Sequence, residues 1–393
     1  MKKIEINNKN YDVSSPTTEG FRRKYIESFG DSLCDISSIA FEAIESSVDG
    51  YYLEIKSKVI GDFRVEILDD NDSPVYETRL SSGMYCKLNR SYYTKWKTRF
   101  HLENLILESN FTLEGSRVFI VFESSSLGDT IAWMPYCEEF RKKHNCHVIV
   151  SSFRNEMFKN LYPEIEFAER GVVVDNIKAL YRLGWFYDED KEPVLPSTIP
   201  LQKSATNILG LDYKEIHSRI HFDPKERPYS GKYVCIAPSS TAGCKLWNNP
   251  TGWLELTKYL SSKGYKIINI SKDGEQIEGV ENISDDSMES TKNVIFHSEF
   301  VIGLSSGLSW LSWALGKHVV MISNFTDADH EFTINCTRIT NPLVCNGCWN
   351  NPRFKFDKGD WYWCPEHKDT DRQFECHKSI KADMVIDQIQ HLL

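Results

Sequence analysis

Near its C-terminal end the chain reads Cys345-Asn346-Gly347-Cys348, followed by Cys364 after fifteen intervening residues and Cys376 after eleven more. Two thiols two residues apart, with the tight-turn dipeptide Asn346-Gly347 between them, can face one metal ion. A second pair arriving from later loops completes a tetrahedral sulfur site. Zinc and iron both fit four sulfurs, and this spacing is no zinc-finger consensus. His367 or His377 in place of a cysteine would favour zinc. With Cys345, Cys348, Cys364 and Cys376 filling every position, the metal is expected to be structural. Trp349, Trp361 and Trp363 lie within the same segment and are expected to pack around the site or to form an oligomer contact.

Three loops carry the other residues able to do chemistry. In Ser124-Ser125-Ser126-Leu127-Gly128-Asp129-Thr130, Gly128 permits a tight turn. Asp129 then stands at a helix start, either as a helix cap or as a general base that takes a proton from an attacking hydroxyl. In Pro238-Ser239-Ser240-Thr241-Ala242-Gly243-Cys244-Lys245-Leu246-Trp247, small residues leave backbone N–H groups open to an anion and Lys245 adds positive charge. It is not a Walker motif, and a plain surface turn is the alternative. Gly303-Leu304-Ser305-Ser306-Gly307-Leu308 suits a second phosphate-cradling edge, or simple helix capping by Ser305 or Ser306. A base facing two anion-cradling loops is the layout of an enzyme that uses a nucleotide-sugar donor. No Asp-x-Asp pair is placed to bridge a divalent ion to phosphates; Asp327-Ala328-Asp329 follows the wrong strand and reads as an exposed acidic pair.

The elements that must position these loops are legible as two kinds of pattern. Tyr51–Ile55, Phe63–Leu68 and Pro74–Thr78 are short alternating or β-branched runs, and Asp69–Asp72 separates two of them as a hairpin turn would. Residues 1–116 are therefore expected to be a β-rich, barrel- or sandwich-like module, with a helix near Thr18–Phe29. From Val118–Phe122 onward the pattern changes to apolar strands alternating with helices, as in β-α-β units. The helix running to about His144 contains Pro135, so a kink or short first turn is expected there. His147–Val150, Tyr233–Ala237, Tyr265–Ile270, Phe300–Leu304 and Val319–Ile322 are the further strands. Two Rossmann-like domains facing across a cleft follow, at residues 117–228 and 229–393. Ligands in such sheets sit at the carboxyl ends of the strands.

Composition narrows the partners. The net charge of −10 argues against nucleic acid or an anionic membrane as the main partner. The charged start Met1-Lys2-Lys3-Ile4-Glu5 is not followed by an apolar stretch of signal or membrane-spanning length, so a cytoplasmic location is expected. In that reducing compartment, clustered cysteines are expected to bind metal rather than form disulfides. The other seven, Cys34, Cys86, Cys137, Cys146, Cys235, Cys244 and Cys336, are scattered and read as small core residues.

Gly128-Asp129-Thr130, the loop ending in Lys245-Leu246-Trp247, and Ser306-Gly307-Leu308-Ser309 resemble, in matching order, the three signatures of bacterial heptosyltransferases of the GT-B type. Together with the β-rich N-terminal part and the four-cysteine insert, the run Ser126-Leu127-Gly128-Asp129-Thr130-Ile131-Ala132-Trp133 resembles the narrower family of bacterial autotransporter O-heptosyltransferases. The resemblance implies a GT-B fold and an inverting transfer of heptose from ADP-heptose to serine hydroxyls of an autotransporter adhesin's passenger domain. It also implies a dodecameric homo-oligomer and iron in the cysteine site, with zinc the alternative. Carried over, Asp129 is the catalytic base and Lys245 the donor-phosphate contact, with Ser305, Ser306 and Gly307 on the phosphate side. Gly128, Thr130, Ser239, Ser240, Thr241 and Trp247 complete the expected donor site. The chain departs from the lipopolysaccharide enzymes at Ser305 and Trp310, where those have Asp and His. Two alternatives therefore stand: an enzyme acting on surface polysaccharide, and a non-catalytic assembly protein with a degenerate sugar-nucleotide fold.

Overall fold

A computed structural model describes residues 2–4, 41–57, 61–102, 105–272, 276–285 and 287–393; the helix expected near Thr18–Phe29 lies outside the described residues. The first eight strands are β1 (Lys2–Ile4), β2 (Phe41–Ser47), β3 (Tyr51–Ser57), β4 (Phe63–Leu68), β5 (Pro74–Leu80), β6 (Tyr85–Leu88), β7 (Lys97–Leu102) and β8 (Leu105–Asn110). Four of them make an antiparallel sheet in the order β5-β4-β7-β8. Its inner face packs on β2 and β3, where Phe41 meets Phe63 and Phe100 with ring centroids 5.2 and 4.8 Å apart. Tyr51 stacks on Trp96 at 5.0 Å. Glu45, a carboxylate buried between the layers, accepts hydrogen bonds from the hydroxyls of Tyr51 at 2.6 Å and Ser109 at 2.9 Å, so its desolvation is compensated.

This sandwich is not a free-standing module, which corrects the expected N-terminal unit. One of its two layers is the end of a larger α/β sheet. That sheet continues through β9 (Arg117–Phe122), α1 (Leu127–His144), β10 (His147–Ser151), β11 (Glu166–Phe167), β12 (Ile177–Leu183) and α2 (Leu201–Leu209). Its order is β11-β10-β9-β12-β2-β3-β6, with β1 also paired to β2. The first four strands run parallel, and β12 joins β2 in parallel through Ala179 and Ser47. The boundary expected at residue 116 thus runs through a shared sheet. Period-two alternation tells which face of β2 is buried, and it is silent on which strand takes its free edge.

The second α/β region contains β13 (Tyr233–Ala237), α3 (Gly252–Ser262), β14 (Lys266–Asn269), β15 (Glu281–Asn282), α4 (Met288–His297) and β16 (Val301–Gly303). It continues with α5 (Gly307–Ala314), β17 (Val319–Ile322), β18 (Cys336–Ile339), α6 (Glu375–Lys378) and α7 (Ala382–Ile389). Its sheet is wholly parallel, in the order β15-β14-β13-β16-β17-β18. Every residue of β13 and β17 is buried, as strands covered on both faces require. No described helix is long and apolar enough to cross a membrane.

The two regions meet where α1 packs on α5. A Cβ on Gly128 would lie 2.9 Å from the Trp310 ring, and one on Gly307 would lie 3.0 Å from Leu127 Cβ. Gly128 is therefore needed for close approach of another helix, rather than for the tight turn expected of it. Pro135 sits inside α1 and cannot donate to the carbonyl of Ile131 one turn earlier. The buried Ser218 hydroxyl takes that place, donating to Ile131 O at 2.6 Å. Ser218→Ala is expected to destabilise the fold by about 1–3 kcal/mol, the cost of an orphaned buried acceptor, read as a lower urea midpoint with unchanged slope. An unchanged midpoint would show that the Pro135 gap needs no partner.

Candidate functional site

The loops after β9, β12, β13, β16 and β17 converge on a cleft of about 500 Å³. Gly128, Asp129, Thr241, Lys245, Ser305, Ser306 and Gly307 all line it, so most of the expected catalytic and donor-site residues share one space. Asp129 is not the cap of α1. Ser126 is, and its hydroxyl accepts the Asp129 N–H. This frees the Asp129 carboxylate for other partners. It is 7% exposed, and its Oδ2 accepts from the Ser124 hydroxyl at 2.5 Å and the Trp185 indole N–H at 2.8 Å. Trp185 in turn makes an edge contact with Trp349 at 5.2 Å and stacks near His330 at 6.4 Å.

Lys245 ends a short 3-10 turn, with its ammonium 5.5 Å from the centroid of the Phe325 ring. That turn is pressed against the cysteine segment. Gly243 N–H donates to Trp361 O at 2.9 Å, and a Cβ at Gly243 would lie 2.7 Å from that oxygen. Cys244, Phe325, Trp363, Cys364 and Phe374 form one buried cluster, with Cys348, Trp349 and Phe356 packed on it. Across the cleft, Ser306 occupies the cap position of α5, yet its buried hydroxyl has no hydrogen-bond partner among the described residues. An uncapped helix start with a free hydroxyl is suited to an anion.

Ser305 donates its hydroxyl to Glu331. Glu331 also accepts from Thr326 and, at 2.5 Å, from Arg338. Burial alone would push the Glu331 carboxyl up. Arg338, His330 and the Ser305 hydroxyl outweigh it and hold the group down at about 2. His330 moves the other way, because complete burial lowers its pKa despite the neighbouring Glu331. Its Nδ1 lies 3.0 Å from Ile199 O.

Other expected site residues fall elsewhere. Thr130 is buried and spends its hydroxyl on Ser126 O at 2.8 Å. Trp247 is 3% exposed and its indole N–H donates to Ile380 O, tying the loop to the C-terminal helices, while it also borders the second cavity. Ser239 and Ser240 line a second cavity of about 960 Å³, which reaches the first at Thr241. Trp185, His330, Glu331, Lys355 and Lys358 line the first cleft and carry no motif by which the sequence could announce them. Asp327 and Asp329 are exposed, as read from the sequence.

The cysteine segment draws together an imidazole and a carboxylate as well as thiols. Among the described residues, Cys345, His367 and Glu375 have ligand atoms within 4.8 Å of one another. Cys376 is in side-chain contact with Cys345, and Cys348 and Cys364 are near enough for their charges to interact. His367 Nε2 is buried with no hydrogen-bond partner among the described residues and lies 3.5 Å from Glu375 Oε1, while His377 spends its Nε2 as acceptor for the Asn324 N–H at 3.0 Å. Thiols with imidazoles beside them are a donor set that suits zinc or iron; His377 also touches it, its Nδ1 3.4 Å from Cys376 Sγ.

Comparison with known proteins gives a consistent set of relatives. The profile of glycosyltransferase family 9 (heptosyltransferase) matches residues 163–359. The autotransporter heptosyltransferase Aah of Escherichia coli is 34% identical over 350 residues, covering 84% of this chain and 89% of that protein. The inactive autotransporter heptosyltransferase BimC of Burkholderia thailandensis is 30% identical over 83% of this chain and 80% of its own length. Among solved structures, the iron-containing dodecameric glycosyltransferase TibC of enterotoxigenic E. coli superposes with a TM-score of 0.80 at 31% identity, covering 89% of this chain and 95% of that one. Its complex with ADP-D-beta-D-heptose gives 0.79. The chain thus has the mixed α/β glycosyltransferase fold of TibC.

Glu331 supplies a pH test of the loop that backs the cleft. Its folded pKa lies below the usual 4.5 at about 2, so its stabilisation is present above pH 4.5 and lost as pH falls through 2. Glu331→Gln is expected to cost roughly 3 kcal/mol at pH 7. The gap to the parent should close between pH 4.5 and 2 in urea titrations. A gap independent of pH would show that the Arg338 pair does not hold the carboxylate ionised.

Proposed function

Because the chain belongs to glycosyltransferase family 9, the heptosyltransferases, we propose that it is a GT-B enzyme moving heptose from ADP-heptose onto serine hydroxyls of an autotransporter adhesin's passenger domain. The observation that carries this reading is the convergence of Asp129 from the first α/β region with Lys245 and the uncapped start of α5 from the second. The Aah name and the ADP-heptose complex of TibC support the donor and the acceptor class.

A serine hydroxyl is a weak nucleophile at neutral pH and needs a carboxylate to accept its proton as the C–O bond forms. Both hydrogen bonds to Asp129 fall on Oδ2, which leaves Oδ1 to take that proton. Attack from the Asp129 side, opposite the departing diphosphate, inverts the anomeric carbon. The ADP that leaves gains negative charge, and Lys245 with the N–H groups and Ser306 hydroxyl at the start of α5 stabilise it. Ser305 and Gly307 shape the same edge, and Gly128 lets α1 approach it. The nucleoside would occupy the neighbouring cavity lined by Ser239 and Ser240, with the diphosphate crossing at Thr241.

Cys345 and Cys376, with Cys348, Cys364 or His367, would hold a structural metal. Iron is favoured by the iron-containing TibC, with zinc as the alternative. Assembly as a homo-oligomer, a dodecamer as in TibC, and action in the cytoplasm before the adhesin's export belong to the same reading. A non-catalytic role has one specific support, the relative described as inactive at 30% identity.

Incubation of the purified chain with ADP-heptose and a passenger domain, followed by intact-mass analysis, tests the proposal. Added heptose units on serine are expected; an unmodified passenger together with no ADP release would favour the non-catalytic reading. Asp129→Asn is expected to lower transfer by at least about 1000-fold with ADP binding retained. Near-normal turnover would remove Asp129 from the mechanism.

A further inference from the structure

Cationic side chains of the cysteine segment that point away from the cleft are spent on neighbours. Arg353 pairs with Glu366 at 3.3 Å, Lys368 with Asp360 at 2.5 Å and Arg372 with Glu375 at 2.5 Å. Lys355 and Lys358, which line the cleft, make no ion pair or hydrogen bond among the described residues. Asp357 lies between them in the chain, but its Oδ1 accepts the Gly359 N–H at 2.8 Å. The backbone carrying the two lysines is held by Phe356, whose ring packs edge-on against Trp363 at 5.0 Å and Trp349 at 5.3 Å.

Lys245 reaches the same cleft and has only the face of Phe325 as partner among the described residues. Three unpaired ammonium groups therefore border one cleft in a chain whose net charge is −10. The two cleft carboxylates do not balance them. Glu331 is already matched by Arg338, and Asp129 is held by Ser124 and Trp185. Such a local excess of positive charge is complementary to a compact polyanion.

We propose that Lys355 and Lys358 bind the donor's diphosphate together with Lys245, which makes the segment between Cys348 and Cys364 a wall of the donor site. This rests on the nucleotide-sugar reading above and adds two residues that none of the three signature loops contains. Both side chains are exposed, so their replacement leaves the core untouched.

Calorimetric titration of the full chain with ADP and with adenosine tests it. Lys355→Ala/Lys358→Ala is expected to weaken ADP about 10- to 100-fold, with a shallower salt dependence, and to leave adenosine unchanged. Lys355→Arg/Lys358→Arg should stay within about threefold of the parent for ADP, since both cations contact phosphate. ADP affinity within twofold of the parent in the double alanine variant, while Lys245→Ala weakens it, would overturn the role of the two lysines and leave the donor reading standing. Failure of the unaltered chain to bind either ADP or adenosine would overturn the donor reading and this inference with it.

Discussion

One indole ties the site together. The Trp185 N–H donates to Asp129, its ring makes an edge contact with Trp349, and its face lies near His330. Four distant stretches of chain are thereby brought to one point: the start of α1, the loop after β12, the loop after β17, and the cysteine segment. An indole N–H in a largely apolar surround requires an acceptor, and the acceptor chosen here is the proposed base. The bond fixes which oxygen of Asp129 is occupied and which faces the cleft. A carboxylate held this way needs little reorganisation when it takes a proton.

The same logic extends from Trp349 through Phe356 and Phe325 to Lys245, a run of ring contacts between 5.3 and 5.8 Å ending in a cation over a ring face. The proposed base and the lysine proposed to meet the donor are thus set by one aromatic seam. Three glycines tighten the seam's surroundings because nothing larger fits: Gly128 under Trp310, Gly307 against Leu127, and Gly243 against Trp361 O. These contacts also make sense of the two departures from the lipopolysaccharide enzymes. Trp310 is the ring that covers Gly128. Ser305 passes its hydrogen bond to Glu331, so a carboxylate still backs that edge of the cleft, delivered from the loop after β17.

Much of this was legible in the sequence. Strands β9, β10, β13, β14, β16 and β17 follow from their apolar runs, whereas β11, β12, β15 and β18 were not read from the sequence; Asp129, Lys245, Ser306 and Gly307 are recognisable because each follows a strand or opens a helix. The remainder was hidden for identifiable reasons. Sheet edges are not encoded by alternation, so the pairing of β2 with β12 was invisible, and a separate module was expected where a shared sheet exists. Trp185, Glu331 and His330 act through contacts made only in three dimensions. Thr130 sits inside a recognisable signature, yet the fold spends its hydroxyl on Ser126 O. Neighbours in a motif need not be neighbours in a site.

The dependence of the base on Trp185 is most directly tested by steady-state kinetics of Trp185→Phe with ADP-heptose and a passenger acceptor, alongside ADP titration. Phenylalanine keeps an aromatic ring near Trp349 while removing the N–H donor and the larger indole's extra ring. A fall of about 10- to 100-fold in kcat with ADP affinity unchanged is the expected result. An unchanged kcat would contradict the idea that this indole sets the catalytic carboxylate.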